Sequence, residues 1–305
     1  MNTALLFPGQ GSQRPQMLHD LVRHPSVDDT LSEASGILGF DVRTLDSADA
    51  LQSTVSVQLA LLVVGVATAR AFQRSGLHPQ AVAGLSVGAF AAAVAAETLT
   101  FPDAIRLVRS RAEQMEQMYP VGYGLSAIVG LTENHVVRLV NTANSLERPV
   151  FVSNINAPKQ IVIAGSIEGM KIVLEQALLQ GARKAELLDV SVPSHCPLLQ
   201  AIADSLREQL RSISVRDPKT IYIANVNARS VRTAQRVAKD LADNIAHGVR
   251  WHDATCVAQE LGCELFLNVP PGHALIDLAK ENLSDIQVRP VTPANFKILL
   301  ELAKL

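Results

Sequence analysis

Cysteine is scarce in this chain of 305 residues, and its spacing excludes several kinds of protein. The three cysteines, Cys196, Cys256 and Cys263, are an odd number and form no C-x-x-C pair. This pattern argues against a disulfide framework and a zinc site, and it favours a reducing compartment. A secretory leader is also lacking, because Met1 to Leu6 runs directly into a strand with no basic segment before it. We therefore expect a cytoplasmic protein.

The chain also lacks an excess of charge of either sign. It has 27 lysine and arginine residues against 29 aspartate and glutamate residues, for a formal net charge of −2. Without a basic stripe, nucleic-acid binding has no electrostatic basis. The apolar runs 55–69 and 81–96 are shorter than the roughly 20 residues of a membrane span, so both are predicted to lie in the core and no membrane is expected. The histidines form no metal-ligand pair, so no metal is predicted.

A serine at the junction of an apolar strand and an alanine-rich helix is the most informative feature. In the segment AVAGLSVGAFAAAVAA, Ser86 lies between Gly84 and Gly88. A tight strand-to-helix turn exposes the serine hydroxyl, and its small neighbours permit the sharp bend. The helix that begins there supplies backbone N–H groups that can hold an oxyanion. The segment therefore predicts a nucleophile for acyl chemistry, although the motif alone has low specificity.

Two further segments strengthen this prediction. Near the N-terminus, TALLFPGQGSQ leads from a strand into a glycine-rich turn, whose N–H groups can approach an anionic oxygen or a phosphate. The lysine of a P-loop is missing, which makes the phosphate alternative the weaker one. Later, LLDVSVPSHCPLL holds His195 between two prolines that stiffen the turn. His195 is therefore a candidate general base, and its neighbour Cys196 is more simply a packed thiol.

The pattern of apolar segments predicts an α/β protein with two parts. Strands and helices alternate over residues 1–123 and again over 193–305, as expected for a parallel sheet covered on both faces. Residues 124–192 change to the order βαββαβ, which is typical of a ferredoxin-like unit. We expect this small domain to be inserted into a large α/β-hydrolase-like domain, with the functional cleft at their boundary.

Six motifs in order make the chain resemble a known family. They are FPGQGSQ, GLSVGAF, RSRAEQM, VPSHCPLL, ANVNA and NVPPGHAL. Together they are similar to the malonyl-CoA:acyl-carrier-protein transacylases over nearly the whole length. The resemblance implies an acyltransferase that moves a malonyl group from malonyl-CoA to the phosphopantetheine-type thiol of an acyl carrier protein, with no bound cofactor.

The resemblance also implies roles for particular residues. Ser86 matches the nucleophile and His195 the base of a dyad without an acidic third member. A backbone carbonyl from the stretch Gly248 to Trp251 would orient the imidazole. The backbone N–H groups of Gln10 and Val87 would form the oxyanion hole.

A second set of residues is expected to bind the substrate. Arg111 matches the arginine that grips the malonyl carboxylate, and a planar guanidinium suits that task because it can pair with both oxygens. From the sequence alone, Arg111 could equally be a solvated helix residue. Gln58, within the apolar helix VSVQLALLVVGVA, is expected near the pocket, although an interhelical hydrogen bond would also explain it.

Three departures from the family pattern suggest a subfamily. Leu85 stands where a histidine is usual, Ala89 where a glutamate is usual, and Arg250 where a glutamine or asparagine is common. The GLSVGAF form looks more like the malonyltransferase subunit of malonate decarboxylase, whose other subunits would then be partners. Arg250 is a further candidate for the pocket.

Three alternatives to this assignment stay open. The chain could be a transacylase of fatty-acid or polyketide synthesis. It could also be a serine thioesterase or hydrolase with the same elbow, or a carrier-docking subunit without activity. Arg111 and the absence of an acidic triad member argue against the hydrolase, while the presence of Ser86 and His195 argues against the inactive subunit.

Overall fold

The strands of the protein form two separate sheets. The computed structural model describes residues 1–119 and 121–304; Pro120 and Leu305, which both fall within the predicted large domain, lie outside the described residues. The strands are β1 (Thr3–Phe7), β2 (Ala81–Gly84), β3 (Tyr123–Val129), β4 (Val150–Ala157), β5 (Gln160–Ser166), β6 (Lys184–Leu187), β7 (Ile221–Ile223), β8 (Ser230–Val231), β9 (Leu265–Asn268) and β10 (Gln287–Pro290).

Helices alternate with these strands along most of the chain. The α-helices are α1 (Pro25–Leu38), α2 (Thr54–Arg74), α3 (Gly88–Ala95), α4 (Phe101–Met118), α5 (Glu133–Ala143), α6 (Ile167–Leu179), α7 (Gln200–Arg211), α8 (Ala234–Asp243), α9 (Trp251–Glu260), α10 (Ala274–Asn282) and α11 (Phe296–Lys304). Short 3₁₀ turns cover Val42–Asp46, Ala50–Gln52 and Pro197–Leu199.

The larger sheet is a parallel sheet buried on both faces. Its strand order is β10-β9-β1-β2-β7-β8, and each neighbouring pair is parallel except β7 and β8. Alternate residues of β1 enter different apolar clusters: Leu5 and Phe7 pack into one, and Ala4 and Leu6 into the other. Parallel strands with both faces covered by helices are expected to be continuously apolar, as β1 is. The predicted α/β class is confirmed.

The smaller sheet is antiparallel and matches the predicted βαββαβ order. Its strands lie in the order β4-β5-β3-β6, and α5 and α6 contribute to an apolar cluster on one of its faces. This arrangement confirms the ferredoxin-like unit. The strand predicted over residues 184–192 is shorter, because its pairing with β3 ends at Leu187. The division into domains at residues 124 and 192 stays a prediction.

Strand β4 of the small sheet packs against the large sheet's part of the protein through α9 and the segment before it. Its edge is covered by the segment before α9, because the Ile155 N–H donates to the Val249 carbonyl at 2.8 Å and the Val249 N–H donates to the Ser153 carbonyl at 2.8 Å. The Ser153 hydroxyl donates to the Ser194 carbonyl at 3.0 Å. An edge strand that would otherwise be exposed is therefore paired, and it contacts the residue before His195.

Helix α2 is the long apolar helix of the core. It has 21 residues and contains the apolar run 55–69, and by length and composition it could cross a membrane. However, 83% of its most apolar window is buried inside the protein. It packs between α1, α3 and α4, so the folded chain itself covers this apolar surface.

The turn after β2 depends on two residues that lack a side chain. A Cβ built on Gly84 would lie 2.1 Å from the Gly88 carbonyl carbon, and one built on Gly88 would lie 2.3 Å from the Phe7 carbonyl oxygen. Contacts this short are sterically forbidden, so β2, α3 and the end of β1 can meet only at glycine. The elbow predicted from the sequence therefore lies at the carboxyl ends of adjacent parallel strands, where ligand crevices form in α/β proteins.

We predict that Gly88→Ala destabilises the protein, because its methyl group would push the end of β1 away from α3. The free energy of unfolding should fall by about 3 kcal/mol in urea titrations. Gly36→Ala is the matched control, since Gly36 lies exposed in α1 and its Cβ would meet nothing within 4 Å. That change should stabilise the protein by about 0.5–1 kcal/mol. Equal effects at both positions would contradict the close-approach argument.

Candidate active site

Ser86 occupies the elbow between β2 and α3. Its backbone has a φ of 57°, which is in the left-handed region that non-glycine residues rarely adopt. The Leu85 N–H donates to the Phe7 carbonyl at 2.9 Å, so the elbow is attached to the end of β1. Ser86 is partly exposed, while its neighbour Val87 is buried and caps α3. The local geometry is that of a strained nucleophile elbow.

The backbone N–H groups of Gln10 and Val87 are available as a pair. Within the described residues neither group donates a hydrogen bond to another part of the protein. Gln10 follows the end of β1 and Val87 follows Ser86, so the bond between Leu85 and Phe7 holds their two loops side by side. Free backbone donors beside a nucleophile are what an oxyanion hole requires. The oxyanion role of this pair stays a prediction that the geometry permits.

His195 is held with one ring nitrogen free to act as a base. Its Nδ1 lies 2.5 Å from the Asn244 carbonyl oxygen, and its backbone N–H donates to the Ile245 carbonyl at 2.8 Å. Because a carbonyl can only accept, Nδ1 must carry the proton, which leaves Nε2 unprotonated. The orienting carbonyl was expected from Gly248 to Trp251. That expectation is wrong, because the carbonyl that bonds the ring belongs to Asn244, at the end of α8.

Arg111 is a buried cation without an anionic partner. Its side chain lies on α4 with 0% exposure, and no carboxylate within the described residues pairs with it. Nη1 donates to Gln58 Oε1 at 2.5 Å and Nη2 donates to Ser86 Oγ at 3.0 Å, whereas Nε has no partner. Burial lowers the pKa of Arg111 to about 9, because an unpaired charge is poorly solvated there.

Gln58 lies where its amide can orient the arginine. It projects from α2, is buried, and accepts the hydrogen bond from Arg111 Nη1. Its Nε2 donates to Met115 Sδ at 3.3 Å and to Gln10 Oε1 at 3.4 Å. The interhelical hydrogen bond considered for Gln58 is therefore present, and it connects the residue to the predicted pocket at the same time.

The electrostatics of the site favour a neutral imidazole. Burial is the main cause that lowers the pKa of His195 to about 3, and the nearby positive charge of Arg111 lowers it further. A neutral ring is the form that can accept a proton from a serine. Within the described hydrogen bonds, Ser86 Oγ accepts from Arg111 and has no bond to His195. The structure thus brings Ser86 and Arg111 into contact, and Arg111 is close enough to His195 for its charge to affect the imidazole.

Arg250 does not lie free in the pocket. Its guanidinium forms ion pairs with Glu133 of α5, at 3.1 Å, and with Asp253 of α9. Arg250 therefore links α5, which packs on the small sheet, to α9, which contacts the large sheet. The hydrogen bonds with both carboxylates raise its pKa. Its positive charge is already paired with these two carboxylates, and the pocket role suggested by the sequence stays a prediction.

Asn225 is a site residue that the sequence analysis did not single out. It lies two residues after the end of β7, within the segment ANVNA, and is buried. Its Oδ1 accepts the Ser86 N–H at 3.0 Å and its Nδ2 donates to the Gly84 carbonyl at 2.9 Å. An asparagine after a strand is also common in ordinary turns, so the motif alone carried no sign of this contact.

Metal binding finds no candidate in the described part of the chain. No group of three or more histidine, cysteine, aspartate or glutamate side chains is close enough to hold an ion there. The expectation that the reaction needs no metal or bound cofactor stays a prediction.

Comparisons with known proteins agree with the geometry of the site. Residues 4–294 match the acyl transferase domain family. The malonyl CoA-acyl carrier protein transacylase of Escherichia coli K12 is 35% identical over 285 residues, which are 91% of each chain. The chain belongs to this transacylase family. It is therefore an acyltransferase, as the six motifs predict.

Solved structures of such transacylases share the fold over the whole chain. The transacylase of Coxiella burnetii superposes with a TM-score of 0.94 at 33% identity, covering 99% of this chain and 97% of its own. A malonyl-transacylase in complex with its type II PKS acyl-carrier protein gives 0.94 at 33% identity, covering 99% of this chain and 100% of its own. These relatives are named for malonyl transfer to carrier proteins, and they give no support to the malonate decarboxylase assignment.

We predict that His195 makes the stability of this acyltransferase depend on pH. The unfolded histidine takes up a proton near its ordinary value of 6.5, whereas the folded one does so only near about 3. Between these values the unfolded state binds more protons, so this contribution to the free energy of unfolding falls as pH falls. His195→Gln lacks this contribution. Between about pH 7 and 4.5 its free energy of unfolding should therefore fall by about 2 kcal/mol less than that of the wild type in urea titrations. Parallel pH profiles for both proteins would contradict the assignment.

Proposed function

We propose that this protein transfers a malonyl group from malonyl-CoA to the phosphopantetheine-type thiol of an acyl carrier protein, through a malonyl ester on Ser86. The observation that carries the proposal is the buried Arg111, which pairs with no carboxylate among residues 1–119 and 121–304 and donates to Ser86 Oγ at 3.0 Å. An unpaired buried cation is costly unless the substrate brings the anion.

The distance between the two groups fits a malonyl thioester. In malonyl-CoA a single carbon separates the free carboxylate from the thioester carbonyl. An anchor for that carboxylate must therefore lie close to the nucleophile, as Arg111 does. The guanidinium can donate two parallel hydrogen bonds to the carboxylate, which an acetyl group cannot use. Gln58 holds Nη1 and thereby restricts the orientation of the guanidinium.

The carboxylate would also free the nucleophile. In the structure Ser86 Oγ accepts a hydrogen bond from Arg111 Nη2. A bound malonyl carboxylate competes for that donor, because a charged acceptor forms the stronger hydrogen bond. Ser86 Oγ can then turn to His195 Nε2, which is unprotonated because Nδ1 carries the proton. Binding of the correct acyl group would thus prepare the attack.

The chemistry then follows two symmetrical half-reactions. His195 Nε2 takes the proton of Ser86 as Oγ forms a bond to the thioester carbon, and the N–H groups of Gln10 and Val87 stabilise the oxyanion. The C–S bond breaks, and the CoA thiolate receives the proton from His195. In the second half-reaction His195 deprotonates the carrier thiol, whose sulfur attacks the malonyl ester, and the ester bond to Oγ breaks. The proton returns to Ser86.

The pathway follows from the relatives rather than from the departures in the elbow. Leu85 and Ala89 suggest the malonate decarboxylase subunit, but the relatives are named as malonyl transacylases and one was solved with a polyketide carrier protein. We therefore infer a role in fatty-acid or polyketide synthesis, in the cytoplasm.

We predict that malonyl-CoA gives the wild type a malonyl-sized mass increase that a carrier thiol removes. Intact-protein mass spectrometry should find no such adduct on Ser86→Ala. Arg111→Ala should slow malonylation by about 10–100-fold while acetylation from acetyl-CoA changes little, because only the malonyl group uses the charged hydrogen bonds.

Arg109→Ala is the matched control for the arginine variant. Arg109 lies on the same helix but is exposed and pairs with Glu113 at 2.8 Å, so its loss should leave malonylation unchanged. If Arg111→Ala slowed acetylation and malonylation equally, the carboxylate role would be refuted. An adduct that water removes as fast as the carrier thiol would instead identify a hydrolase.

A further inference from the structure

One side-chain amide fastens both sides of the nucleophile elbow. Asn225 Oδ1 accepts the N–H of Ser86 at 3.0 Å, and Asn225 Nδ2 donates to the carbonyl of Gly84 at 2.9 Å. The carbonyl belongs to Gly84 and the N–H to Ser86, so the amide bridges the turn on both sides of Leu85. Asn225 is buried, the hydrogen bond to Gly84 lies inside the protein, and the one to Ser86 is partly buried, so water has limited access to the amide.

The elbow needs such a fastening because it is strained. Ser86 has a φ of 57°, and a non-glycine residue in this region costs about 1–3 kcal/mol. Neither Ser86 nor Gly84 obtains these two hydrogen bonds from a backbone partner across the turn. If the turn relaxed, Ser86 Oγ and the Val87 N–H would both change position, because they belong to consecutive residues.

Asn225 is itself held by a second layer of buried hydrogen bonds. Its backbone N–H donates to Asp240 Oδ2 at 3.0 Å, and its carbonyl accepts the Arg250 N–H at 2.8 Å. Asp240 also accepts the Tyr222 hydroxyl at 2.8 Å and the Val226 N–H at 3.0 Å. The carboxylate of Asp240 therefore gathers three donors around the end of β7, and its position determines that of the Asn225 amide.

We propose that Asn225 is a positioning residue for acyl transfer, which holds the backbone of Ser86 so that the hydroxyl and the Val87 N–H are aligned with the substrate carbonyl. The inference rests on the proposed function, because it assumes that Ser86 is acylated. A misplacement of about 1 Å in such a site can slow a reaction about 100-fold. Asn225 needs no contact with the substrate to have this effect.

The two hydrogen bonds of Asn225 make different demands on a substitute. Asn225→Asp keeps an oxygen that accepts the Ser86 N–H, but as a carboxylate it has no hydrogen for the Gly84 carbonyl. Once protonated, the introduced carboxyl can donate to that carbonyl and restore both bonds. Burial and the nearby charge of Asp240 both favour its protonation. His195 stays neutral in the folded protein as the pH falls, since its pKa is lowered to about 3, so the base is still available.

The experiment measures single-turnover malonylation of Ser86 by malonyl-CoA, using quenched samples and intact-protein mass, between about pH 8 and pH 5. We expect Asn225→Asp to acylate about 10–100-fold more slowly than wild type at the higher pH. The ratio of the two rates should recover by about tenfold at the lower pH. Asn227→Asp is the matched control, because Asn227 lies exposed in the same motif and its Oδ1 needs only to accept the Arg229 N–H. It should match wild type throughout.

Each outcome decides between the possibilities. A wild type that acylates while Asn225→Asp keeps the same rate, or a rate deficit that is independent of pH, overturns the positioning role. A wild type that forms no malonyl adduct overturns the proposed function, and this inference falls with it. Rates are normalised to the folded fraction from circular dichroism.

A second variant covers the case in which Asn225→Asp does not fold. Asp240→Asn keeps Asn225 itself but weakens the hydrogen bonds that hold its backbone. One acceptor oxygen of Asp240 becomes an NH₂ group that faces other donors. It should slow acylation by about 3–10-fold with an unchanged KM for malonyl-CoA, since the alignment and not the binding is affected. An unchanged acylation rate would overturn the proposal.

Discussion

The direct packing of the end of β1 against the start of α3 is the constraint on which the rest of the site depends. Because no side chain separates the Phe7 carbonyl from Gly88, the turn that carries Gln10 and the turn that carries Ser86 are neighbours. This proximity brings the glycine-rich turn close to the nucleophile turn, since a Cβ built on Gly9 would lie 3.5 Å from Ser86 Cβ. The parallel sheet supplies the geometry, since the carboxyl ends of its strands meet at one edge. A side chain at position 88 would therefore separate the donors before it affected any catalytic group.

A single buried charge organises the other half of the site. Among the described residues Arg111 has no carboxylate partner; it donates a hydrogen bond to Ser86 and lowers the pKa of His195. The proposed substrate anchor thus acts on both the proposed nucleophile and the proposed base. Burying such a charge costs stability, which proteins commonly accept at functional sites. In the proposed function, pairing with a substrate carboxylate would offset this cost.

Much of this arrangement could be predicted from the sequence, because local patterns carry it. The βαββαβ order after residue 124 was evident from the alternation of apolar segments, and the elbow from Gly84, Ser86 and Gly88. The missed features depend on contacts between distant segments. The Asn244 carbonyl that orients His195 has no side-chain signature, and β8 and β10 are too short to produce a periodic pattern. Asn225 resembles any turn asparagine until its partners at Gly84 and Ser86 are known.

The predicted oxyanion donors are peptide groups, which every amino acid except proline provides. The chemistry at this position is therefore independent of side-chain identity at residues 10 and 87. Evolution can alter the lining of the acyl pocket there, and so the range of acyl groups accepted, while the reaction itself is preserved. A survey of the protein by alanine replacement would for the same reason fail to register these donors, because alanine carries the same N–H. Replacing each of these two peptide bonds by an ester bond removes the N–H, and this change tests the donors where side-chain mutagenesis cannot.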